Sequence, residues 1–390
     1  MTQTYRRTNV LAAAVFIVAT AAVAIGLASP LSLRWLQGGV QPVDALEGLD
    51  PVMLVQGKEV QGEFKISVTR DQFRYFFANE DNKAAFEKDP ARFEIQLSGH
   101  CARMGEPVGA NPDLYSVHKG RIYIFGSAEC KKRFEAAPGD YLEPKNPRAA
   151  AVPDATAKGA KLLEKAVKAL GGADRLTALS SYREESSFME GRQSGSVEVK
   201  TEMTILFPDR IRVHQIRPDW NDVSIMRSQT MVLSSNSGFI EGPRGVAPVS
   251  AAHRSEQARE VLKRPIAMLR ARSAVNLHPV FVGTTDKGEA KIDQVEVEVD
   301  GSVYTLGLDS ATSRILSVSY VRRGPQGKYG KYLLDFSDYR SVKGFDVPFK
   351  IAASFDGQPW PEQSATIRSI AIDEPVSPAQ FEAPNHGASR

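Results

Sequence analysis

Between residues 197 and 372, apolar and polar side chains alternate in short runs separated by glycine, proline and aspartate, which predicts β-strands joined by turns. Asp300-Gly301, between two of these runs, is a typical two-residue hairpin turn. The predicted strands are 197–206, 210–216, 230–233, 294–299, 303–308, 315–321, 331–336, 349–355 and 366–372. We therefore expect one long antiparallel sheet, which curls because a sheet of this length does not stay flat.

Two stretches of this part of the chain have the spacing of amphipathic helices instead. The first, at 157–170, carries leucine and valine on one face and ends at Gly171. The second, at 255–272, is interrupted by Pro265, which removes a backbone donor and breaks or kinks a helix. We expect both helices to pack against the sheet.

The segment before the sheet contains one pattern twice. Each copy predicts an aromatic strand, an N-cap at Asn79 or Ser127, and a short helix stopped by Pro90 or Pro138. The pairs that match at a single offset (123 − 75 = 48) are Tyr75/Tyr123, Phe77/Phe125, Phe86/Phe134, Glu87/Glu135, Pro90/Pro138 and Phe93/Tyr141. Neither copy can bury its apolar face alone, so we expect the two to pack together.

The N-terminus predicts a membrane segment. Residues 10–28 follow Arg6 and Arg7 and have Thr20 as their one clearly polar side chain. At about 1.5 Å per residue, a helix of this length spans the hydrocarbon core of a bilayer. Its length favours a retained inner-membrane anchor over a cleaved signal peptide, and the basic flank places the rest of the chain in the periplasm in either case.

Composition narrows the class of protein. The 390 residues allow two or three domains, and 49 Lys+Arg against 46 Asp+Glu leave a net charge of only +3 without a long basic block, which argues against a nucleic-acid partner. We assign the chain to the α+β class. The predicted parts are a signal-anchor helix at 1–30, a juxtamembrane linker at 31–47, the duplicated domain at 48–145, a linker at 146–155 and the sheet domain at 156–385.

Several motifs of the duplicated domain resemble the YHS family, a small α+β module found in metal-handling proteins. The motifs are Asp50-Pro51-Val52, Tyr123-Ile124-Phe125-Gly126-Ser127, Cys130, and Phe134 with Pro138 and Tyr141. The segment around His100 and Cys101 resembles a YHS subgroup with a chalcogen residue at the position of Cys101. The likeness covers about residues 48–145, and it departs at Met53 and Gly126, where metal-binding members have cysteine.

Cys101 and Cys130 are the two cysteines of the chain, and their chemistry has several interpretations. In an oxidising compartment such a pair often forms a structural disulfide, which would close a loop of about thirty residues and stabilise the fold by about 3 kcal/mol. A redox-active thiol is another interpretation, because Cys130 lies in the first turn of a predicted helix, where the dipole favours a thiolate. Inert buried thiols are a third. A copper site is a fourth, with the soft ligand set His100, Cys101, Met104, His118 and Cys130.

The sheet domain resembles the outer-membrane lipoprotein carrier (LolA/LolB-like) superfamily over about residues 155–385. The motifs that carry the likeness are Gly171-Gly172, Phe207-Pro208-Asp209-Arg210-Ile211-Arg212, Asp309 with Thr312, Phe336-Ser337-Asp338-Tyr339-Arg340, Gly344, Pro348-Phe349, and Phe381 with Pro384. The resemblance implies an incomplete barrel plugged by helices, whose apolar concavity accepts acyl chains. The alternative is an interior filled by the protein's own side chains.

The chain has no HExxH spacing, no glycine-rich phosphate loop and no nucleophile elbow, so we predict no catalytic residue. Basic residues around the second helix are candidates for contact with anionic lipid head groups, or else form a solvated helix face. They are Arg254, Arg259, Lys263, Arg264, Arg270 and Arg272.

These observations predict a non-catalytic bacterial envelope protein, anchored in the inner membrane, whose half-barrel binds a lipid or another apolar small molecule. The YHS-like module would be an accessory part, and other envelope proteins are further candidate partners. The alternative prediction is a copper or thiol-redox protein that uses Cys101 and Cys130.

Overall fold

The computed structural model describes residues 42–105, 109–142, 144, 148–192, 195–235, 237–243, 245–249, 251–271, 277–299 and 302–383. The chain divides into two compact units, Met1–Glu143 with Arg323–Tyr329, and Pro144–Arg322 with Gly330–Arg390. The predicted membrane segment at 10–28 lies outside the described residues. Within the described residues, no helix has the length and apolar character needed to cross a bilayer.

The first unit contains small sheets and short helices. Strands β1, β3 and β2 form one sheet in that order, with β1 parallel to β3, and β4 pairs with β5 as a separate hairpin. The strands are β1 Val43–Asp44, β2 Glu63–Arg70, β3 Phe73–Phe77, β4 Asn111–His118 and β5 Arg121–Phe125, and the helices are α1 Pro51–Leu54, α2 Glu80–Lys88, α3 Pro90–Phe93 and α4 Ala128–Ala136.

Elements β2, β3 and α2 recur as β4, β5 and α4, with each first residue shifted by 48 (111 − 63, 121 − 73 and 128 − 80). Both helices start at a side-chain cap: Asn79 Oδ1 accepts from the Asn82 amide at 2.9 Å, and Ser127 Oγ accepts from the Cys130 amide at 3.2 Å. In both copies an aromatic side chain of the strand packs on one of the helix, since the ring centroids of Phe77 and Phe86 are 5.3 Å apart and those of the matching pair in the second copy are 5.1 Å apart.

The second unit is one large antiparallel sheet with four helices among its described residues. The sheet order is β11-β10-β9-β8-β7-β6-β19-β17-β16-β15-β14-β13-β12, with β18 beside β17. The large antiparallel sheet with helices that the sequence predicts is therefore confirmed. In chain order the elements are α5 Pro153–Leu170, α6 Ala173–Ala178, β6 Ser181–Arg192, β7 Gly195–Leu206, β8 Arg210–Pro218, β9 Met226–Leu233, β10 Gly238–Gly242, β11 Gly245–Pro248, α7 Ala251–Leu262, α8 Pro265–Ala271, β12 Val280–Lys287, β13 Ala290–Val299, β14 Ser302–Asp309, β15 Ile315–Arg323, β16 Tyr329–Val342, β17 Phe345–Phe355, β18 Gln358–Pro359 and β19 Ala365–Ile372.

Strand β6 is central in this sheet, yet the alternation of apolar and polar residues does not predict it. Its buried side chains include Tyr182 and Phe188, but also Glu184 and Glu190, which are both 0% exposed. Glutamate is almost never fully buried unless it is paired, so an inward-facing glutamate looks like a solvent-facing residue in the sequence pattern. The prediction of β6 therefore depends on knowing the partners of these carboxylates.

Helices α7 and α8 join strands that are far apart in the sheet. Arg264, between the two helices, donates from Nη2 to Glu184 Oε1 on β6 at 2.8 Å, and Glu260 on α7 accepts from Tyr320 Oη on β15 at 2.7 Å. Strands β6 and β15 are four steps apart in the sheet, about 19 Å at the usual strand spacing. Residues only four positions apart in the chain therefore bond to two strands that are separated by three others in the sheet.

The sheet face beneath these helices holds buried charges. Lys263 Nζ lies 2.7 Å from Glu260 Oε2, and Arg322 Nη1 lies 3.1 Å from the same oxygen. Burial alone would raise the pKa of Glu260, but the charges of Arg322 and Lys263 lower it to about 2. Burial lowers the pKa of Lys263 to about 8 against the opposing effect of Glu260. Ion pairs therefore join the helices to the sheet at this position.

We predict that Glu184→Gln destabilises the second unit by about 3–5 kcal/mol, because it leaves the Arg264 guanidinium buried without its counter-charge. Urea unfolding followed by tryptophan fluorescence measures this change, since Trp220 and Trp360 both belong to that unit. Asp338→Asn is the matched control, because Asp338 pairs with Arg340 at the surface. Equal stability of the two variants would contradict the structural role of the buried pair.

Candidate functional site

Cys101 and Cys130 meet in the first unit. Cys101 lies beside β5, where it forms a parallel bridge with Ile124, and Cys130 lies in the first turn of α4. Cys101 is 0% exposed and Cys130 is 8% exposed. The two thiols lie near enough to shift each other's pKa, upward for Cys101 and downward for Cys130. Both side chains are free thiols in this structure, so the disulfide predicted from the sequence stays a prediction about their oxidised state.

The first copy of the repeat holds a hydrogen-bonded pair in the equivalent position. There, Asp50 Oδ2 accepts from the Ala78 amide at 2.7 Å and from Asn82 Nδ2 at 2.7 Å. In the second copy the neighbouring Cys130 raises the pKa of Cys101, and the Gly126 backbone lowers it. Gly126 lies 48 positions after Ala78 (126 − 78), and Cys130 lies 48 positions after Asn82 (130 − 82). Cys101, in contrast, lies 51 positions after Asp50 (101 − 50). The sulfur pair therefore replaces a carboxylate–amide pair.

The surroundings of Cys130 favour its thiolate. The pKa of Cys130 is lowered chiefly by the neighbouring Cys101 thiol, and further by Ser127 and by the guanidinium of Arg103. Arg103 Nη1 lies 3.7 Å from the Cys130 sulfur. The pKa of Cys101 is raised by its neighbour Cys130 and by burial. Of the two sulfurs, Cys130 is therefore the one whose surroundings favour the thiolate.

Arg103 also contacts the third sulfur of the predicted ligand set, because its Nη1 lies 3.1 Å from Met104 Sδ. A second arginine holds the loop that carries Arg103. Arg323 Nη1 donates to the carbonyl of Ala102 at 3.2 Å and to that of Arg103 at 3.0 Å, and its Nη2 donates to the carbonyl of Tyr141 at 2.9 Å. Arg103 is adjacent in sequence to the predicted ligands, but Arg323 lies more than 200 residues away, and no sequence signal links it to the site.

The two histidines of the predicted copper set lie in other contacts. His100 Nδ1 is 3.0 Å from the Leu97 carbonyl oxygen, and the His118 ring stands edge-on to Phe134 at 6.1 Å between centroids. Among the described residues, no three or more His, Cys, Asp and Glu side chains are grouped so that they could hold a metal ion. The structure therefore brings Cys101 and Cys130 together, and Arg103 contacts both Cys130 and Met104.

The basic residues predicted as lipid head-group contacts donate to the protein itself. Lys263 and Arg264 form the buried ion pairs described above, while Arg272 lies outside the described residues. The remaining three donate to acceptors of the second unit: Arg254 to the Val249 carbonyl at 3.1 Å, Arg259 to Ser302 Oγ at 3.3 Å and Arg270 to the Leu179 carbonyl at 3.3 Å.

No protein-family profile matches the chain, and no curated protein matches it. Among solved structures, the chain resembles a LolA superfamily protein from Nitrosomonas europaea with a TM-score of 0.39 and 10% identity, over 57% of this chain and 97% of that one. It resembles a DUF1329 family protein from Desulfovibrio piger with a TM-score of 0.38 and 12% identity, again over 57% and 97%. Identities and TM-scores this low do not assign the chain to a family, so the YHS and LolA/LolB-like resemblances stay predictions.

We predict that the alkylation rate of Cys130 by iodoacetamide rises with pH at a midpoint below the ordinary cysteine pKa of about 8.5. Arg103→Met moves this midpoint upward by about one unit, because it removes the positive charge beside the thiolate. Arg133→Met is the control, since Arg133 lies on the same helix α4 but pairs with Glu129 at the surface. An unchanged midpoint in Arg103→Met would show that the guanidinium does not stabilise the thiolate.

Proposed function

We propose that Cys101 and Cys130 form a thiol–disulfide exchange centre, in which Cys130 is the attacking sulfur and Cys101 the resolving one. The observation that carries the proposal is the Arg103 guanidinium, 3.7 Å from the Cys130 sulfur, beside a second buried thiol near enough to lower the pKa of Cys130. A thiolate is the nucleophile in such exchange, and a neighbouring thiol within reach completes it. Cys130 is the more exposed of the two residues, which supports its role as the attacking group.

The exchange balances with a substrate disulfide R–S–S–R′ as the oxidant. The Cys130 thiolate attacks one substrate sulfur, which forms a mixed disulfide and releases R′S⁻. The Cys101 thiol gives its proton to R′S⁻, and the resulting thiolate attacks the Cys130 sulfur and releases RS⁻. Two electrons thereby pass from the cysteine pair to the substrate, and the pair ends as a disulfide. The reverse sequence oxidises a substrate dithiol.

The position of Arg103 favours thiol chemistry over the copper site. Its Nη1 contacts the sulfurs of both Met104 and Cys130, two of the predicted copper ligands. A fixed positive charge repels a cation and attracts a thiolate, so the same contact that disfavours copper supports the attacking role of Cys130.

We predict that the purified full-length protein loses both free thiols on reaction with oxidised glutathione. Cys101→Ser stops at one glutathionyl adduct on Cys130, because the resolving thiol is missing, and Cys130→Ser reacts at least tenfold more slowly, because a buried neutral thiol is a poor nucleophile. Thiol titration and intact-mass measurement detect these products. Asn82→Ala, at the matching position of the first copy, serves as the control and reacts like the unaltered protein.

Two results would overturn the exchange centre. One is the absence of a glutathionyl adduct on the Cys101→Ser variant after incubation with oxidised glutathione. The other is an unaltered protein whose thiols do not exchange with oxidised glutathione but which binds Cu(I) stoichiometrically. If both cysteine variants lose that binding, the copper site is supported instead.

We propose an inner-membrane anchor at 10–28 and a periplasmic location for both units, supported by the apolar run and its basic flank. Binding of a lipid or another apolar ligand by the second unit is the second candidate function. The apolar concavity implied by the resemblance supports it, but the ion pairs of Glu184 and Glu260 occupy the sheet face beneath α7 and α8. Contact with lipid is therefore better sought on another surface of this unit.

A further inference from the structure

The loop between β8 and β9 displays a cluster of apolar side chains. Within seven positions (226 − 220 + 1), Trp220 is 47% exposed, Val223 58%, Ile225 42% and Met226 52%. Single exposed apolar residues are ordinary on protein surfaces, whereas a contiguous group marks an interaction site. We call residues 219–226 the apolar tip.

The polar groups of the apolar tip bond within the loop or to its base. Asp219 Oδ1 accepts from the Asn221 amide at 2.9 Å, and its Oδ2 pairs with Arg227 at 2.8 Å. Asp222 Oδ1 accepts from the amide and the hydroxyl of Ser224 at 2.9 and 2.6 Å. Because these carboxylates already have partners, the loop can leave water at a smaller desolvation cost than a loop with unpaired carboxylates.

A buried ion-pair cluster fixes the base of the apolar tip. Arg192 donates to the backbone carbonyls of Asp219 and Pro218 at 2.6 and 2.7 Å, and its guanidinium lies 4.5 Å from the centroid of the Trp220 ring. Glu190, which is 0% exposed, pairs with Arg192 at 2.9 Å and with Arg217 at 3.2 Å. The exposed apolar side chains are therefore presented from a fixed base.

We propose that the apolar tip inserts into the interface of a phospholipid bilayer. A tryptophan beside aliphatic side chains and methionine suits this region, where one end of the indole is apolar and the other is wet. A membrane is the occupant because the anchor proposed above at 10–28, on which this inference rests, would keep the chain at a bilayer surface. Protein that does not co-purify with nanodiscs would contradict the anchor, whereas co-purified protein tests the tip. Three carboxylates and three guanidinium groups balance at the tip and its base: Glu190, Asp219, Asp222, Arg192, Arg217 and Arg227. Insertion therefore depends on apolar burial and only weakly on salt or on anionic lipid.

The test uses the full-length protein with Trp35→Phe, held in phosphatidylcholine nanodiscs that contain a nitroxide-labelled lipid. The remaining tryptophans are Trp220 and the buried Trp360. A second protein that also carries Trp220→Phe emits from Trp360 alone, and its fluorescence is subtracted to leave that of Trp220. We expect the lipid-borne nitroxide to quench Trp220 and aqueous acrylamide not to reach it. Val223→Ser with Ile225→Ser lowers the quenched fraction at least tenfold, because the two substitutions remove apolar surface that insertion would bury.

Val282→Ser is the matched control, because Val282 is an exposed apolar residue on β12 of the same unit. It leaves the quenching unchanged, and unchanged Trp360 emission shows that each variant is folded. The proposal is overturned if Trp220 stays open to acrylamide and unquenched by lipid, which would assign the apolar tip to a protein partner. It is also overturned if the serine variants are quenched as strongly as the unaltered protein, or if 0.5 M salt, roughly enough to shorten the screening length to a few ångströms, abolishes the quenching.

Discussion

The pairing of buried charges is the constraint on which the second unit depends. A charge removed from water is costly unless a partner of opposite sign or several hydrogen-bond donors surround it. Glu184 and Glu260 meet this condition through Arg264, Lys263 and Arg322. Because these partners belong to the segment of α7 and α8 and to strands at some distance in the sheet, the pairing also fixes where the helices lie on the sheet.

The first unit meets the same constraint twice, with different chemistry. In the first copy of the repeat, the fully buried Asp50 is held by backbone amides and by Asn82. In the second copy the equivalent place holds Cys101, and Cys130 replaces the amide side chain. Ser127 and Arg103 lower the pKa of Cys130 there. A carboxylate–amide pair in one copy is therefore matched in the other by two thiols, for which we propose disulfide exchange.

The two proposed activities use different surfaces of the chain. The cysteine pair lies among buried aromatic side chains such as Phe125 and Phe134, which limits access to the sulfur of Cys130. The apolar tip belongs to the second unit, where the buried pairs of Glu190 fix the base of an exposed loop. In both places an arginine lies beside the group to which we assign a role: Arg103 beside the sulfur of Cys130, and Arg192 beside the ring of Trp220.

The sequence by itself determined the features that depend on neighbours along the chain. The alternation predicted strands such as β7 and β14, and Asn79 and Ser127 marked the helix starts, because strand faces and N-caps are set by residues a few positions apart. The tertiary structure alone decided the rest. It placed Glu184 and Glu190 inside the sheet, brought Arg323 to the carbonyls beside Cys101, and matched Cys101 to Asp50 at an offset three residues longer than that of the repeat. These features depend on contacts between distant residues, which a pattern of hydrophobic and polar positions does not contain.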